Sequence, residues 1–531
     1  MSITNILIPG RHHVLTNFQH DYLSQLIADP TSVRDTGGKA VNLGSELKFI
    51  WAVTSANHAG TRRNPLPGHR REAAIEKFAL GAPSYVFPID NVGESPRFAD
   101  HTIKEIEVLS RGQFRLTPKN TVVAVSTPAV IDLYEKLGFV ILPMELSSRE
   151  TGASSAPRAW DIVLAIAAAG AEWRADKTYL ELVHPASKDI LERYRLGDLI
   201  VDVHNDPLLS DEGDITEHRD YATYRQAFDE GAERKYGPMS GYIKPGRIVD
   251  VGSATGSIIK LMSDDPALAD ADLYGIEVAR PLYEICRQRK ANEEFGNENT
   301  FFYQRNIMTG KLFPDNTVNT TTTFALTHEI DSYIGRDGLN KFITQVYDQT
   351  APGGVWINSD VVGPEGGEKI VWLWLATTDG QNETDEQKSA NSPASGGYLA
   401  NLPTAARFKR FTQDFRADEG DGFTAEIALR EGKTYALLRL ADAVEFMVTK
   451  DYTQSWYSEM HERFCYWSID DWRQAVTAAG FTVHPDSAAT RNDWIVHNRW
   501  AGHVALLRET GGKLEPMEFP VTNMLLIAEK K

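Results

Sequence analysis

The chain has 531 residues, 42% of them apolar and 24% charged, with a formal net charge of −18. That length allows roughly two to four ordinary soluble domains, and the negative field disfavours a nucleic-acid scaffold. Two cysteines, Cys286 and Cys465, exclude a disulfide framework and a cysteine-rich zinc site.

The N-terminal MSITNILIPGRHH lacks a basic leader and reads as a buried strand. No apolar run is long enough for a bilayer, so no membrane partner and a cytoplasmic location are expected. ITNILIPG, KFIWAVTSA, SYVFPID and TVVAVSTP have strand character. They alternate with the helical patterns DYLSQLIAD, RREAAIEKFALG, HTIKEIEVLS and AVIDLYEKLG. Such alternation predicts a parallel sheet covered on both faces. WDIVLAIAAAGAEW and PASKDILERYRL read as closing helices, giving a first domain over residues 1–196. The polar, acidic HNDPLLSDEGDITEHRDY places a linker at 197–222.

A second alternating unit, 223–531, begins at GRIVDVGSATGSIIKLM. It continues through ADLYGIEVA, NTFFYQRNI, VNTTTTFALTHEI and GGVWINSDVV. Residues 365–465 are expected to form an insertion or lid, within which TDGQNETDEQKSANSPASGG reads as a mobile segment. The fold class expected is therefore α/β, two Rossmann-like doubly wound parallel sheets in tandem.

The apolar strand IVDVGSATG ends at Asp250, and Gly252 and Gly256 allow a tight turn close to a ligand. The helix beyond offers open N–H groups, and Glu277, at the tip of the next strand, suits a ribose diol. An NAD site would instead want a G-x-G-x-x-G turn; here the spacing is G-x-x-x-G. This pattern resembles class I S-adenosylmethionine-dependent methyltransferases, with Ala254 where the family has a third glycine. YQRNIMTG, FPDNTVNTTTTFALTHEI, TAPGGVWINSDVV and FTVHP extend the resemblance in order. It implies S-adenosylmethionine as cofactor, held by Asp250, Gly252, Ser253, Gly256, Glu277, Asn306 and Thr327. His328, Glu329 and Tyr333 follow the fourth strand and are candidate bases; equally, His328 and Glu329 can cap a helix. SEMHERF places Glu459 and Glu462 on one helical face, and RNDWIVHNRWAGH adds Arg491, Trp494 and His497, which line an acceptor pocket or simply pack.

In the first unit, VTSANHAGTRRNPLPGHRR sits between a strand and a helix, where α/β proteins bind ligands. Its arginines Arg62, Arg63, Arg70 and Arg71 suit a polyphosphate or pair with the many acids. Over roughly residues 5–160 the order of motifs resembles nicotinamide-nucleotide adenylyltransferases, the archaeal type above all. Gly10, Arg11, His20, Ser55, Ala56, Thr61, Asn64, Pro65 and Arg71 match its motifs. Thr16 or Asn17 stands for the first histidine, Gln19 for a glycine, and RETGASSAPRAW for the late S-G-T-x-I-R element. The resemblance implies a nucleoside triphosphate with Mg²⁺, bound through Gly10, Arg11, His13, Asn17, His20, Ser55, Asn57, Arg63, Asn64, Arg71 and Ser126, with His20 also catalytic. His12 or His13 can stand in for the missing histidine. No carboxylate cluster marks a metal site in the protein itself.

Together these imply a bifunctional enzyme, a nucleotidyltransferase-like domain fused to a methyltransferase acting on a small molecule of specialised metabolism. The alternative is a methyltransferase whose N-terminal module binds nucleotide without catalysis. RNA modification through the basic loop is a third reading, which the net charge opposes. The methyl acceptor and the oligomeric state, a homo-oligomer included, stay open.

Overall fold

The computed structural model describes residues 3–531 except 94, 149–150, 152, 207–220, 382–392 and 431. The chain divides into two compact units, 1–214 and 215–531. Most of the stretch read as a mobile segment, and most of the expected linker, lie outside the described residues. The remainder of that linker is not a linker: Leu196–Asn205 is a helix. Its Leu196 and Ile200 join the core that Ile162 and Ile166 of helix Ala159–Ala169 also enter.

The first unit is a five-stranded sheet built from β1 (Ile3–Gly10), β2 (Leu43–Thr54), β3 (Ser84–Ile89), β4 (Thr121–Ala124) and β5 (Val140–Leu142). All pairings are parallel, in the order β3-β2-β1-β4-β5. Successive residues of β1 point to opposite faces. Ile6 and Ile8 enter a core completed by the C-terminal helices, and Leu7 enters one shared with Ala99, Ile106 and Ile131. PASKDILERYRL forms the helix Pro185–Arg193 and then breaks where Arg195 takes a left-handed φ of 53°, the next helix starting at Leu196.

The second unit holds a larger sheet of β6 (Arg247–Val251), β7 (Asp272–Glu277), β8 (Thr300–Gln304), β9 (Val318–Phe324) and β10 (Thr350–Val361). These five are parallel neighbours in the order β8-β7-β6-β9-β10. After β10 the chain departs into a separate antiparallel sheet. That sheet contains β11 (Ile370–Leu375), β12 (Glu426–Arg430) and β13 (Lys433–Arg439). The chain then returns to the main sheet through β14 (Thr482–Val483) and β15 (Ala488–Thr490). It leaves again for β16 (Val504–Thr510) and β17 (Lys513–Pro516), and closes with β18 (Asn523–Glu529), antiparallel to β10. The insertion thus extends past the expected limit of 465: two later strands belong to its sheet. Its own core packs Phe408, Phe411, Phe446, Trp456 and Trp500.

Strand β9 explains how VNTTTTF occupies the middle of a sheet. Its threonine hydroxyls are buried, and three find partners: Thr320 donates to the Lys244 carbonyl, Thr322 to the Asp250 carboxylate and Thr323 to the Asn358 side chain. These three hydroxyls are satisfied, so the polar strand costs little. No described helix is long and apolar enough to cross a membrane.

Candidate functional site

The site of the second unit lies at the carboxyl ends of β6, β7, β9 and β10. Beyond β6 the backbone turns through three left-handed residues, Gly252 (φ 73°), Ala254 (φ 47°) and Gly256 (φ 74°). Glycine is favoured at Gly256 for a second reason: a Cβ there would stand 3.1 Å from the Phe302 ring, which would have to shift. Glu277, at the tip of β7, locks the turn, its carboxylate accepting from the amides of Ala254 and Ala279, each at 2.8 Å. Burial raises the Glu277 carboxyl to about 7 against these two bonds. The turn amides of Gly252 and Ser253 donate back to the Ile276 carbonyl, so the expected row of open N–H donors is largely consumed by the fold. The Ser253 hydroxyl is different. It is buried, with the Cys286 thiol beside it and no other hydrogen-bond partner.

Other residues expected at the cofactor take different positions. Asp250 is buried inside the sheet, where it accepts from Thr322, and burial raises its carboxyl to about 7; it shapes the turn from below. Asn306 caps the turn Ile307–Thr309 by accepting the Met308 amide. Thr327 donates its amide and hydroxyl to Asp360, at 2.7 and 2.6 Å. It orients a carboxylate of the site.

That carboxylate belongs to the centre of the site. Asp360, in β10, receives His328 Nδ1 at 2.7 Å. A hydrogen-bonded chain runs from Thr323 through Asn358, Thr327 and Asp360 to His328. On the far side of the ring, His328 Nε2 faces Glu462 at 3.5 Å. Glu462 also accepts from the Tyr333 hydroxyl at 3.1 Å. Burial opposes charge on His328, yet Asp360 and Glu462 outweigh it and hold the imidazole well above its usual range. Glu329 stands next along the helix Thr327–Ile334. His328, Glu329 and Glu462 offer ligand atoms all within 4.8 Å of one another, a grouping that sequence spacing did not reveal. Asp360 was the residue missed; its signal was an acid at the tip of the fifth strand. Glu445, buried beneath, accepts from the amides of Phe464 and Cys465 and fixes the segment that delivers Glu462. Arg491, Trp494 and His497 take no part in this cluster; Trp494 is exposed and Arg491 pairs with Asp493.

The strand order β8-β7-β6-β9-β10-β18, with the last strand antiparallel, settles the architecture. The second unit has the class I methyltransferase fold. No family model and no curated protein matches the chain. Among solved structures, it is similar to the YcgJ protein from Bacillus subtilis, with 11% identity, 56% of this chain and 99% of that one covered, and a TM-score of 0.29. It is similar also to an S-adenosylmethionine-dependent methyltransferase from Mesorhizobium loti, with 11% identity, 57% and 100% covered, and a TM-score of 0.31. At such scores the fold assignment rests on the strand order itself.

In the first unit, Arg71 has a structural role in place of the expected phosphate contact. Its buried guanidinium donates to the carbonyls of Arg11, Thr54, Ser55 and His58. It thereby holds the loop after β2, where Ser55 has a left-handed φ of 52°. Ser126 is paired with Glu145. His20 stacks on His184 and meets Phe78 edge-on, with ring centroids at 4.8 and 5.2 Å. Asn17 donates to the Glu181 carbonyl, and Asn57 accepts the Asn91 amide. A Cβ at Gly10 would press on the His12 ring. Arg11 donates to the Arg63 carbonyl and lies 5.6 Å above the Trp160 ring. Beside them His13 is 5% exposed, and neither ring nitrogen makes a well-formed hydrogen bond. The Asn64 side-chain oxygen is likewise buried without a partner. Burial, with Arg71 and Arg11, keeps His13 neutral.

Proposed function

We propose that the second unit binds S-adenosylmethionine and transfers its methyl group to a small molecule. The turn of three left-handed residues clasped by Glu277 carries this reading. Glu277 keeps unused lone pairs for the ribose hydroxyls, and the buried Ser253 hydroxyl supplies a donor or acceptor; the residues fit the cofactor. Bound there, S-adenosylmethionine offers a methyl on a cationic sulfur to an attacking lone pair. With both ring nitrogens of His328 protonated, as its raised pKa requires, and both carboxylates ionised, Asp360, His328 and Glu462 carry a net charge of minus one. The Glu462 carboxylate therefore accepts a proton from the acceptor as its oxygen or nitrogen attacks, while Asp360 keeps the ring oriented. Tyr333 fixes Glu462 in this relay. Incubating the protein with S-adenosylmethionine and a panel of hydroxylated and amino acceptors tests this. Release of S-adenosylhomocysteine with at least one acceptor supports it, and cofactor binding without any turnover across a broad panel speaks against methyl transfer.

A second reading concerns the first unit. We infer that it binds a nucleoside triphosphate, with Mg²⁺ accompanying the phosphates. Two buried polar groups, His13 without a well-formed hydrogen bond and the Asn64 oxygen without a partner, favour this. The packing of His20 against Phe78 and His184 favours binding without nucleotidyl transfer. ATP or CTP with Mg²⁺ should raise the melting temperature of the protein but not of its His13→Ala variant. Pyrophosphate release with an added acceptor would instead establish transfer.

A further inference from the structure

The cluster beside the cofactor turn has the donor set of a cation site. His328 supplies one imidazole nitrogen, Nε2, because Nδ1 is already bonded to Asp360. A metal-ligating histidine characteristically has its other nitrogen held by a carboxylate in this way, which fixes tautomer and ring orientation. Glu329 and Glu462 supply one oxygen each, and the three ligand atoms lie within 4.8 Å of one another. The spacing is informative. Two ligands at about 2.1 Å from a tetrahedral ion stand about 3.4 Å apart, and His328 Nε2 is 3.5 Å from Glu462. Glu462 is braced by Tyr333 at 3.1 Å and Ser458 at 3.4 Å. Glu329 also lies near enough to Glu277 to disfavour a charge there. Two carboxylates thus meet a single imidazole, with His328 and Glu462 buried and Glu329 half-buried.

We propose that His328, Glu329 and Glu462 bind a divalent transition-metal ion, Mn²⁺ or Zn²⁺ in class, with open positions for an oxygen of the methyl acceptor. One imidazole and two carboxylates suit these ions better than Mg²⁺ or Cu⁺. Three protein ligands are the pattern of a catalytic rather than a structural site. The ion takes the place of the proton on Nε2. It lowers the pKa of a coordinated hydroxyl, so that an alcohol or phenol is presented as its oxyanion. This rests on the methyltransferase reading and narrows its acceptor to an oxygen compound able to coordinate through that oxygen.

The test uses the full chain, freed of metal by chelation and titrated with MnCl₂ alone, with bound Mn²⁺ read by electron paramagnetic resonance. The expected result is one tightly held Mn²⁺ per chain, with affinity falling at least about tenfold in Glu329→Gln and in Glu462→Gln. Zn²⁺ should displace the ion. Calorimetry with S-adenosylhomocysteine on the same samples separates the two claims: binding retained in both variants shows an intact cofactor site. Absence of stoichiometric Mn²⁺ and Zn²⁺ uptake, or uptake that neither variant weakens, overturns the metal site while leaving the cofactor reading standing.

Discussion

Replacing Glu277 by glutamine isolates the interaction on which the cofactor turn depends. The carboxylate accepts two backbone amides at 2.8 Å, from Ala254 and Ala279, while 4% exposed. Glutamine preserves the shape but turns an NH₂ group towards one of those amides, a donor against a donor. One charge-assisted bond is lost, about 1.5–3 kcal/mol, and a buried N–H is left without an acceptor, about 1–3 kcal/mol. Because the two costs overlap, about 3 kcal/mol is expected, and the ribose hydroxyls lose an anionic acceptor as well. The variant is also relieved of burying a charge, since the Glu277 carboxyl is raised to about 7. Melting temperature should therefore change little, and binding should carry the effect. Calorimetry near pH 8, where the native carboxylate is ionised, should show Kd for S-adenosylhomocysteine rising about 10- to 100-fold, the ribose hydroxyls having lost a charged acceptor worth about 1.5–3 kcal/mol. Affinity within twofold of the native protein would refute the role given to Glu277.

The remaining predictions follow the same geometry. Below about pH 7 the affinity for S-adenosylhomocysteine should fall by up to tenfold per pH unit, as Glu277 takes up its proton; calorimetry across pH 6–8 checks the slope. Asp250, Glu277 and Glu445 are each raised to about 7 by burial, so the native state binds more protons than the unfolded chain between the ordinary carboxyl range and that value. The second unit should accordingly lose stability as pH rises through 7, the direction linkage requires for raised carboxyl groups, and melting scans at several pH values measure it. Asp360→Asn should lower kcat about 10²–10⁴-fold with unchanged binding of S-adenosylhomocysteine, since His328 loses its orienting partner while the turn is untouched. Arg71→Lys should lower the melting transition of the first unit by about 2–4 kcal/mol of stability, because an ammonium cannot serve four converging carbonyls.

Much of the architecture was legible in the sequence, because most of the buried strands carry apolar runs between turn residues. IVDVGSATG announced both β6 and its turn, and LYGIEVA placed Glu277 at a strand tip. VNTTTTF was readable only through its neighbours: its hydroxyls are matched by Asp250, Asn358 and a carbonyl that become adjacent only in the fold. The same limit hid the centre of the site. His328 and Glu329 were visible, but Asp360 and Glu462 reach them through sheet pairing and the return of the inserted layer, which no local pattern encodes. Charge was misleading at Arg71. An arginine in a Gly- and Pro-rich loop suggests an anion, whereas here the loop's own carbonyls, turned inward by left-handed Ser55, claim the guanidinium. The limits of the insertion were misjudged because β16 and β17 rejoin its sheet after the chain has already revisited the main one.

The central claim is that the turn between β6 and its helix, closed by Glu277, holds an adenosyl sulfonium. Titration calorimetry of the full chain with S-adenosylhomocysteine and, separately, with NAD⁺ tests it most directly. The account predicts saturable binding of the first with one site in the second unit, abolished or strongly weakened in Glu277→Gln, and none of the second. Retention of NAD⁺ with no uptake of S-adenosylhomocysteine would contradict it.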